Sequence, residues 1–293
     1  MSNTIEDMID DYILPREDFE SMGNFHKGLE SGAPAFLPYG LPFVVRLDGR
    51  AFHTFTKGLP QPYSHTFSNF MDHITMYLIE CTNALTGYVQ SDEISLVYKN
   101  DQPDGESAPF FGGRTTKILT VLAGMASGYA NKILPDFLPD KIEYVPVFDA
   151  RLSLYASEDD AADNLVWRQQ DCIRNSISRM AQCYFSQKEL DKVSIYKQLT
   201  MLDKLNQYEA NWFTSSMQFR GGRLYQRVKV LKTLSEQELA NIPEQHRPTD
   251  PVMRSIVTQT NLYHFLTQTE NLTDFLFRKA KPIKSIIKYR RPS

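Results

Sequence analysis

Two short stretches of this chain carry acidic residues where a strand should meet a turn. In the first, the apolar run Phe43-Val44-Val45 leads through Arg46-Leu47 to Asp48-Gly49-Arg50-Ala51-Phe52-His53. In the second, Gln90-Ser91-Asp92-Glu93 is followed by Ile94-Ser95-Leu96-Val97-Tyr98. Carboxylates at the ends of two buried strands are costly unless a cation lies between them. The cation that hard oxygen donors favour here is Mg²⁺, and the substrate that Mg²⁺ accompanies is a triphosphate.

The neighbours of these acids can be given parts in the same chemistry. Gly49 permits a sharp turn, so that its carbonyl can join the Asp48 carboxylate as a hard ligand. The backbone N–H groups from Arg50 through Ala51 and Phe52 to His53 can then face phosphate oxygens as a nest or helix start. Taken alone, Asp-Gly is a common turn dipeptide, and the pairing with Ser91-Asp92-Glu93 is what points to a site. In an extended segment Asp92 and Glu93 point to opposite faces, which assigns the metal to Asp92 and leaves Glu93 to solvent or a cation. Arg114 and Lys117 open a predicted helix, where cations oppose the helix dipole unless an anion such as a triphosphate is present. On a later helix, Arg168, Asp171 and Asn175 recur at three- and four-residue spacing, with Arg174 and Arg179 nearby. That face is either an exposed Arg–Asp surface or, beside an active site, a grip on an RNA base or phosphate.

The elements that must hold these residues follow from periodicity. Pro42 to Asp48 reads as a buried strand. Ser64 to Leu85 has helical apolar spacing and is expected to end at Gly87. Val89 and Ile94 to Val97 bracket a tight connection as short strands. Asn100 to Gly113 is a Pro/Gly/Asp-rich loop. Thr115 to Ile133 reads as a helix with small residues that permit close packing, and Val147 to Tyr155 as a strand. The order β-α-β-β-α-β is the split βαβ, ferredoxin-like arrangement, with the first and third strands as central neighbours. This α+β layout brings Asp48 beside the hairpin bearing Asp92, as two-metal chemistry across about 3.5–4 Å requires. Further helices follow from Glu158 to about Leu205, then a basic strand from Leu224 to Lys232, and a stretch from Leu234 to Lys279 that reads as helical. The expected divisions are a helix-and-loop segment at 1–38, a catalytic core at 39–155, a helical extension ending in the basic strand at 156–232, and a helical segment with a basic tail at 233–293.

Composition narrows the class. The chain has 293 residues, 42% hydrophobic and 23% charged, which is ordinary for a globular protein. No run of about 18 apolar residues exists, so no membrane partner is expected. The start is acidic, without a basic-then-apolar secretory pattern. Three scattered cysteines give neither a disulfide framework nor zinc spacing. The chain reads as cytoplasmic. Its formal net charge of -3 argues against a generic polyanion binder. The charge is uneven, however: from Arg278 to Ser293 there are seven basic and no acidic residues, against 25 basic and 35 acidic in the remainder. That tail reads equally as a solvated terminus or as an RNA contact.

Four motifs in one order carry a resemblance: Asp-Gly-Arg-x-Phe-His at 48–53, Gln-Ser-Asp-Glu at 90–93, Phe-Asp-Ala-Arg at 148–151 and Trp-Arg-Gln-Gln-Asp at 167–171. Together they resemble the tRNA-His guanylyltransferase superfamily over about residues 40 to 231. The resemblance implies a polymerase-palm-like core adding nucleotides to RNA 5′ ends in the 3′→5′ direction. It implies Asp48, the Gly49 carbonyl and Asp92 as ligands of two Mg²⁺ ions, with Asp48 and Asp92 catalytic. It also implies Asp48 to His53 with Ser91-Asp92 as nucleotide-binding segments, Arg114 and Lys117 as triphosphate contacts, ATP and GTP or other NTPs as substrates, tRNA as partner, and a homotetramer. Where eukaryotic members carry a histidine-led His-Ile-Asn-Asn motif, this chain has Ile173-Arg174-Asn175-Ser176, which resembles the Thg1-like proteins and templated tRNA 5′-end repair. Gln61 stands where many members place a lysine used in 5′-adenylylation. The alternatives are single-G addition to tRNA-His, a palm-fold nucleotide cyclase, and a non-catalytic RNA- or nucleotide-binding module.

Overall fold

The computed structural model describes residues 12–99, 110–260, 269–279 and 281. Its centre is a six-stranded antiparallel sheet in the order β4-β1-β3-β2-β5-β6. The strands are β1 (Pro42–Gly49), β2 (Thr86–Gln90), β3 (Glu93–Lys99), β4 (Phe148–Leu154), β5 (Arg223–Lys232) and β6 (Val252–Thr260). Numbered in chain order, the longer helices are α1 (Arg16–Ser31), α2 (His65–Thr82), α3 (Thr115–Phe137), α4 (Glu158–Tyr184) and α5 (Ile195–Asp203). The first four strands with α2 and α3 form the α+β split βαβ core, with β1 and β3 as central neighbours.

Strand alternation divides the core into two layers. Val45 and Leu47 on β1, with Ile94 and Leu96 on β3, meet Phe70, Ile74 and Leu78 of α2 and Ile118 and Leu122 of α3. Val44 and Val97 point the other way and pack with Ala161, Leu165 and Val166 of α4. Full burial of each large aliphatic side chain stabilises the fold by about 1.5–3 kcal/mol. The same alternation puts Arg46 and Asp48 on the α4 side of β1. The register pairs Asp48 with Glu93 on one side and Asp149 on the other, so three acids lie in one row.

Two local expectations are corrected. The helix expected to reach Leu85 and stop at Gly87 ends at Thr82, where Asn83 takes the left-handed conformation at φ 59°. Gly87 is instead inside β2, where a Cβ would lie 2.8 Å from the Ile79 side chain, so this glycine lets α2 approach the sheet. The stretch from Leu234 to Lys279, expected to be helical, contains β6, which pairs with β5 along its whole length. Its alternating Val252, Ile256 and Thr258 fit a pleated ribbon better than a helix face. Residues 1–11, residues 100–109 of the Pro/Gly/Asp-rich loop, residues 261–268 of the stretch expected to be helical, and the basic tail beyond Lys281 lie outside the described residues. Among the described residues, no helix is long and apolar enough to cross a membrane.

Candidate active site

The last residues of β1 and the β2–β3 turn meet at one end of the sheet. The N–H of Gly49 donates to the Asp92 carbonyl at 3.1 Å, which ties the two acidic segments together. The Phe52 ring lies against Gly49, and a Cβ there would sit 2.5 Å from it. Glycine at 49 is therefore required by close approach as well as by the turn. Behind the acids opens a cavity of about 510 Å³, into which Asp48, Phe52, His53, Ser91, Asp92 and Glu93 project. The far wall comes from α4 through Asp171, Asn175 and Arg179, and the floor from Arg223 at the start of β5.

The electrostatics of the pair are unbalanced. Burial raises the Asp48 carboxyl above its ordinary value, and the Glu93 charge adds to this while Arg46 opposes it. Burial pushes Asp92 up to about 6, with Asp48 and Glu93 adding repulsion against hydrogen bonds from its own backbone and Ser91. Two half-buried carboxylates that each resist ionisation are a place for a cation. Among the described residues, no three His, Cys, Asp or Glu side chains converge on a metal-sized space. The donor set is two carboxylates with the Gly49 carbonyl, hard oxygens that suit Mg²⁺, which usually keeps several waters and takes few protein ligands.

Glu93 is not on the opposite side from the site. Ser91 has φ 45°, and Asp92 lies in the turn, so strand alternation does not extend back through it. Glu93 instead joins Asp48 in the row and is gripped by Arg168, whose Nε and Nη2 donate at 2.6 and 2.7 Å. Arg168 also donates to Asp171 at 2.8 Å and stacks over Trp167. Its Nε and Nη2 thus hold protein carboxylates while the side chain forms part of the cavity wall. Arg174 turns away from the cavity: it donates to the Leu14 carbonyl at 2.9 Å and lies over the Phe19 ring. Of the three residues expected to face RNA or phosphate, Arg168 and Asn175 line the cavity and Arg174 does not; Asn175 there donates to Asp171 at 3.0 Å.

Arg114 and Lys117 do not reach the acids within this chain. The end of α3 near the site is its C-terminal half, where Ser127 accepts from Phe148 N–H and Asn131 donates to the Pro146 carbonyl. Arg114 lies 13 residues earlier, about 20 Å along the helix axis, where it pairs with Phe36. Lys117 there rests over the Phe111 ring. Arg50 and Ala51 are also off the cavity wall. The Arg50 N–H is spent on the Val147 carbonyl at 2.9 Å. Ala51 begins a single helical turn, Phe52–Phe55, in the left-handed conformation. The bonds of that turn run from Thr54 and Phe55 back to Ala51, leaving the N–H groups of Phe52 and His53 at its open end.

The residues that sequence reasoning missed are Arg46 and Glu30. Arg46 sits beside the row, two residues back along β1, and donates to Glu93 at 3.2 Å and to both Glu30 oxygens at 2.9 Å. The available signal was a lone arginine on the polar alternation of β1, two residues before Asp48.

A split βαβ sheet with paired acids at the end of its first strand and facing hairpin defines a palm-like nucleotidyltransferase. Residues 24–156 match the family model for Thg1, tRNAHis guanylyltransferase. A bacterial tRNA(His) guanylyltransferase (Thg1)-like protein solved with ATP superposes with TM-score 0.60 at 30% identity, over 71% of this chain and 87% of that one. A second bacterial Thg1-like structure, solved with GTP, gives 0.55 at 25% identity, over 82% and 90%. The probable tRNA(His) guanylyltransferase of Mus musculus is 29% identical over 65% of this chain and 66% of its own length. The chain belongs to the tRNAHis guanylyltransferase (Thg1) superfamily, a family of nucleotidyltransferase enzymes.

Proposed function

We propose that this chain is a Mg²⁺-dependent 3′→5′ nucleotidyltransferase that repairs tRNA 5′ ends under the direction of the opposing strand. The observation that carries the reading is the Asp48–Asp92 pair, two carboxyls raised by burial and by neighbouring carboxylates at the mouth of a nucleotide-sized cavity. Asp48, Asp92 and the Gly49 carbonyl would hold Mg²⁺, which when bound lowers the pKa of an attacking hydroxyl and neutralises a leaving group. Phe52 and His53 wall the nucleotide on one side. Asn175 and Arg179 on α4 offer RNA contacts on the other.

In the reaction, a 5′-monophosphate on the RNA attacks the α-phosphorus of ATP, and pyrophosphate leaves. The 3′-hydroxyl of an incoming NTP then attacks the activated 5′ phosphorus, and AMP leaves. An RNA that already carries a 5′-triphosphate skips the first step and releases pyrophosphate in the second. Gln61 in the cavity wall is uncharged, which favours the triphosphate-bearing RNA.

The template-directed reading is favoured over single-G addition by the segment after Cys172. Ile173 is buried in the core, Arg174 is turned to Leu14, and Asn175 and Ser176 line the cavity, with the Ser176 hydroxyl taken up by the Ile173 carbonyl and the Trp212 indole N–H. One amide can grip a sugar or phosphate but does not read a base pair, so base pairing must discriminate. The test uses 5′-truncated tRNAs of different identity, each with a matched or mismatched template base, and labelled NTPs with Mg²⁺. Addition that follows the template on several tRNAs is expected. Addition of G alone, to tRNA-His alone, whatever the opposing base, would replace repair with the guanylyltransferase reading.

A further inference from the structure

α1 reaches the acid row through one face. Gly23, His26 and Glu30 recur at three- and four-residue spacing. Gly23 lets the helix lie on Trp167, where a Cβ would come within 3.1 Å of the indole nitrogen. His26 stacks on the same indole and hydrogen-bonds Tyr155 at 2.9 Å. Glu30, one turn on, is thereby set beneath β1 with its side chain 10% exposed.

Glu30 takes one edge of the Arg46 guanidinium, with Nε donating to Oε1 and Nη2 to Oε2, both at 2.9 Å. Guanidinium is planar, with its donors in a fixed fork, so this choice decides what the remaining corner can do. Nη1 is left to donate to Glu93 at 3.2 Å and stands 3.8 Å from the nearer Asp48 oxygen. Among the described residues, Asp48 accepts no hydrogen bond from Arg46 or from any other side chain. The arginine is close enough to favour ionised Asp48, yet it is held off both carboxylate oxygens.

We propose that Glu30 is a positioning residue for the metal site: it restrains Arg46 from closing on Asp48 and so keeps the Asp48 carboxylate open to a divalent cation. The inference rests on the metal-ligand reading of Asp48. With Glu30 neutralised, the Nε/Nη2 edge loses its carboxylate. The fork is then free to rotate onto Asp48 and pair bidentately, the geometry arginine and carboxylate adopt when unopposed. Metal must then displace an arginine before it can bind. Helix α1, which contributes nothing to the cavity wall, thereby acts on the metal site from outside it.

The experiment measures binding of Mn²⁺ alone, as a paramagnetic substitute for Mg²⁺, by electron spin resonance on the full chain. Thermal unfolding without metal is followed in parallel. Glu30→Gln is expected to raise the Mn²⁺ dissociation constant by roughly 10-fold or more, as loss of an outer-sphere partner does. The unfolding midpoint should move by only a few degrees, and turnover should return to near the parental value at saturating metal. Arg46→Lys keeps the charge but lacks the fork. In that background, adding Glu30→Gln should change the dissociation constant less than twofold. Equal dissociation constants in the parent and Glu30→Gln, or a turnover defect that no metal concentration repairs, would overturn the inference. So would an undiminished effect in the Arg46→Lys background, because simple Coulomb attraction would then account for it. A parent that binds no Mn²⁺ would sink the metal reading itself, and this inference with it.

Discussion

The β1–β4 half of the sheet and the β5–β6 ribbon are built from similar strands but differ in what covers them. Val45, Leu47, Ile94 and Leu96 are fully buried between helices and neighbouring strands. β5 shares that environment only where β2 pairs with it, from Arg223 to Gln226. Beyond Gln226 its sheet partner among the described residues is β6, and Leu231, Met253 and Ile256 are exposed. A two-stranded ribbon is marginal by itself, whereas a strand with partners on both edges and helices on both faces is held several times over. The acids of the site are anchored in the second kind of structure. Charge repulsion there can be tolerated because the backbone beneath it cannot easily yield.

The largest effect that could break this contrast is at the acids. Asp48→Ala or Asp92→Ala should lower nucleotide addition by on the order of 10³-fold, since the metal's charge stabilisation is worth several kcal/mol. The fold should be unchanged, because either change relieves repulsion among the site carboxylates. Single-turnover extension of labelled RNA measures the first, and circular dichroism the second. Near-normal turnover in either variant would mean that the rigid half holds these acids for some other purpose.

Next in size is the junction of the two halves. Leu224 is fully buried, and Leu224→Ala should cost about 2–5 kcal/mol in urea unfolding.

The covered half should also respond to acid. Burial holds His26 neutral, with its pKa lowered from 6.5 to about 4. The depressed folded value means that its contribution is complete above pH 6.5 and is lost as pH falls through 4. That loss is on the order of 2–3 kcal/mol, and it should be missing from the pH dependence of unfolding in His26→Gln. An identical pH profile in that variant would show that α1 is not held through this imidazole.

The smallest effect sharpens the comparison from the other side. Leu231 is 67% exposed, and Leu231→Ala should change stability by no more than about 0.5 kcal/mol. A cost like that of Leu224→Ala would show that something covers the ribbon in solution.

The same division governs what could be read from the sequence. The palm-like order and the placement of Asp48 beside Asp92 were legible, because strand patterns, turn residues and four spaced motifs agree there. Side-chain direction was not. Glu93 was assigned by an alternation that the Ser91 turn interrupts. Arg168 and Arg174 share a helix at a six-residue spacing that periodicity alone does not orient, and only the packed α1 and β3 decide that one grips Glu93 and the other Leu14. Arg114 and Lys117 open α3 as expected, but the topology puts that helix start at the other end of the sheet. β6 was missed because an exposed ribbon lacks the strict apolar alternation that a half-buried strand shows.

The cavity floor carries a consequence for how the chain comes to be folded. Arg223 donates to Asp72 and to the Ser68 carbonyl, closing a sequence separation of 151 residues between the first core helix and β5. The acids that define the site all lie in the first third of the chain, so they can be gathered early during synthesis. The space behind them cannot close until β5 has left the ribosome. At about 5–20 residues per second, synthesis from the acids to β5 takes several seconds or longer. Over that interval Asp72 has been made and Arg223, its partner in the finished fold, has not. Chaperone capture or degradation of this protein should be most sensitive to changes at Asp72 and Arg223 during that window.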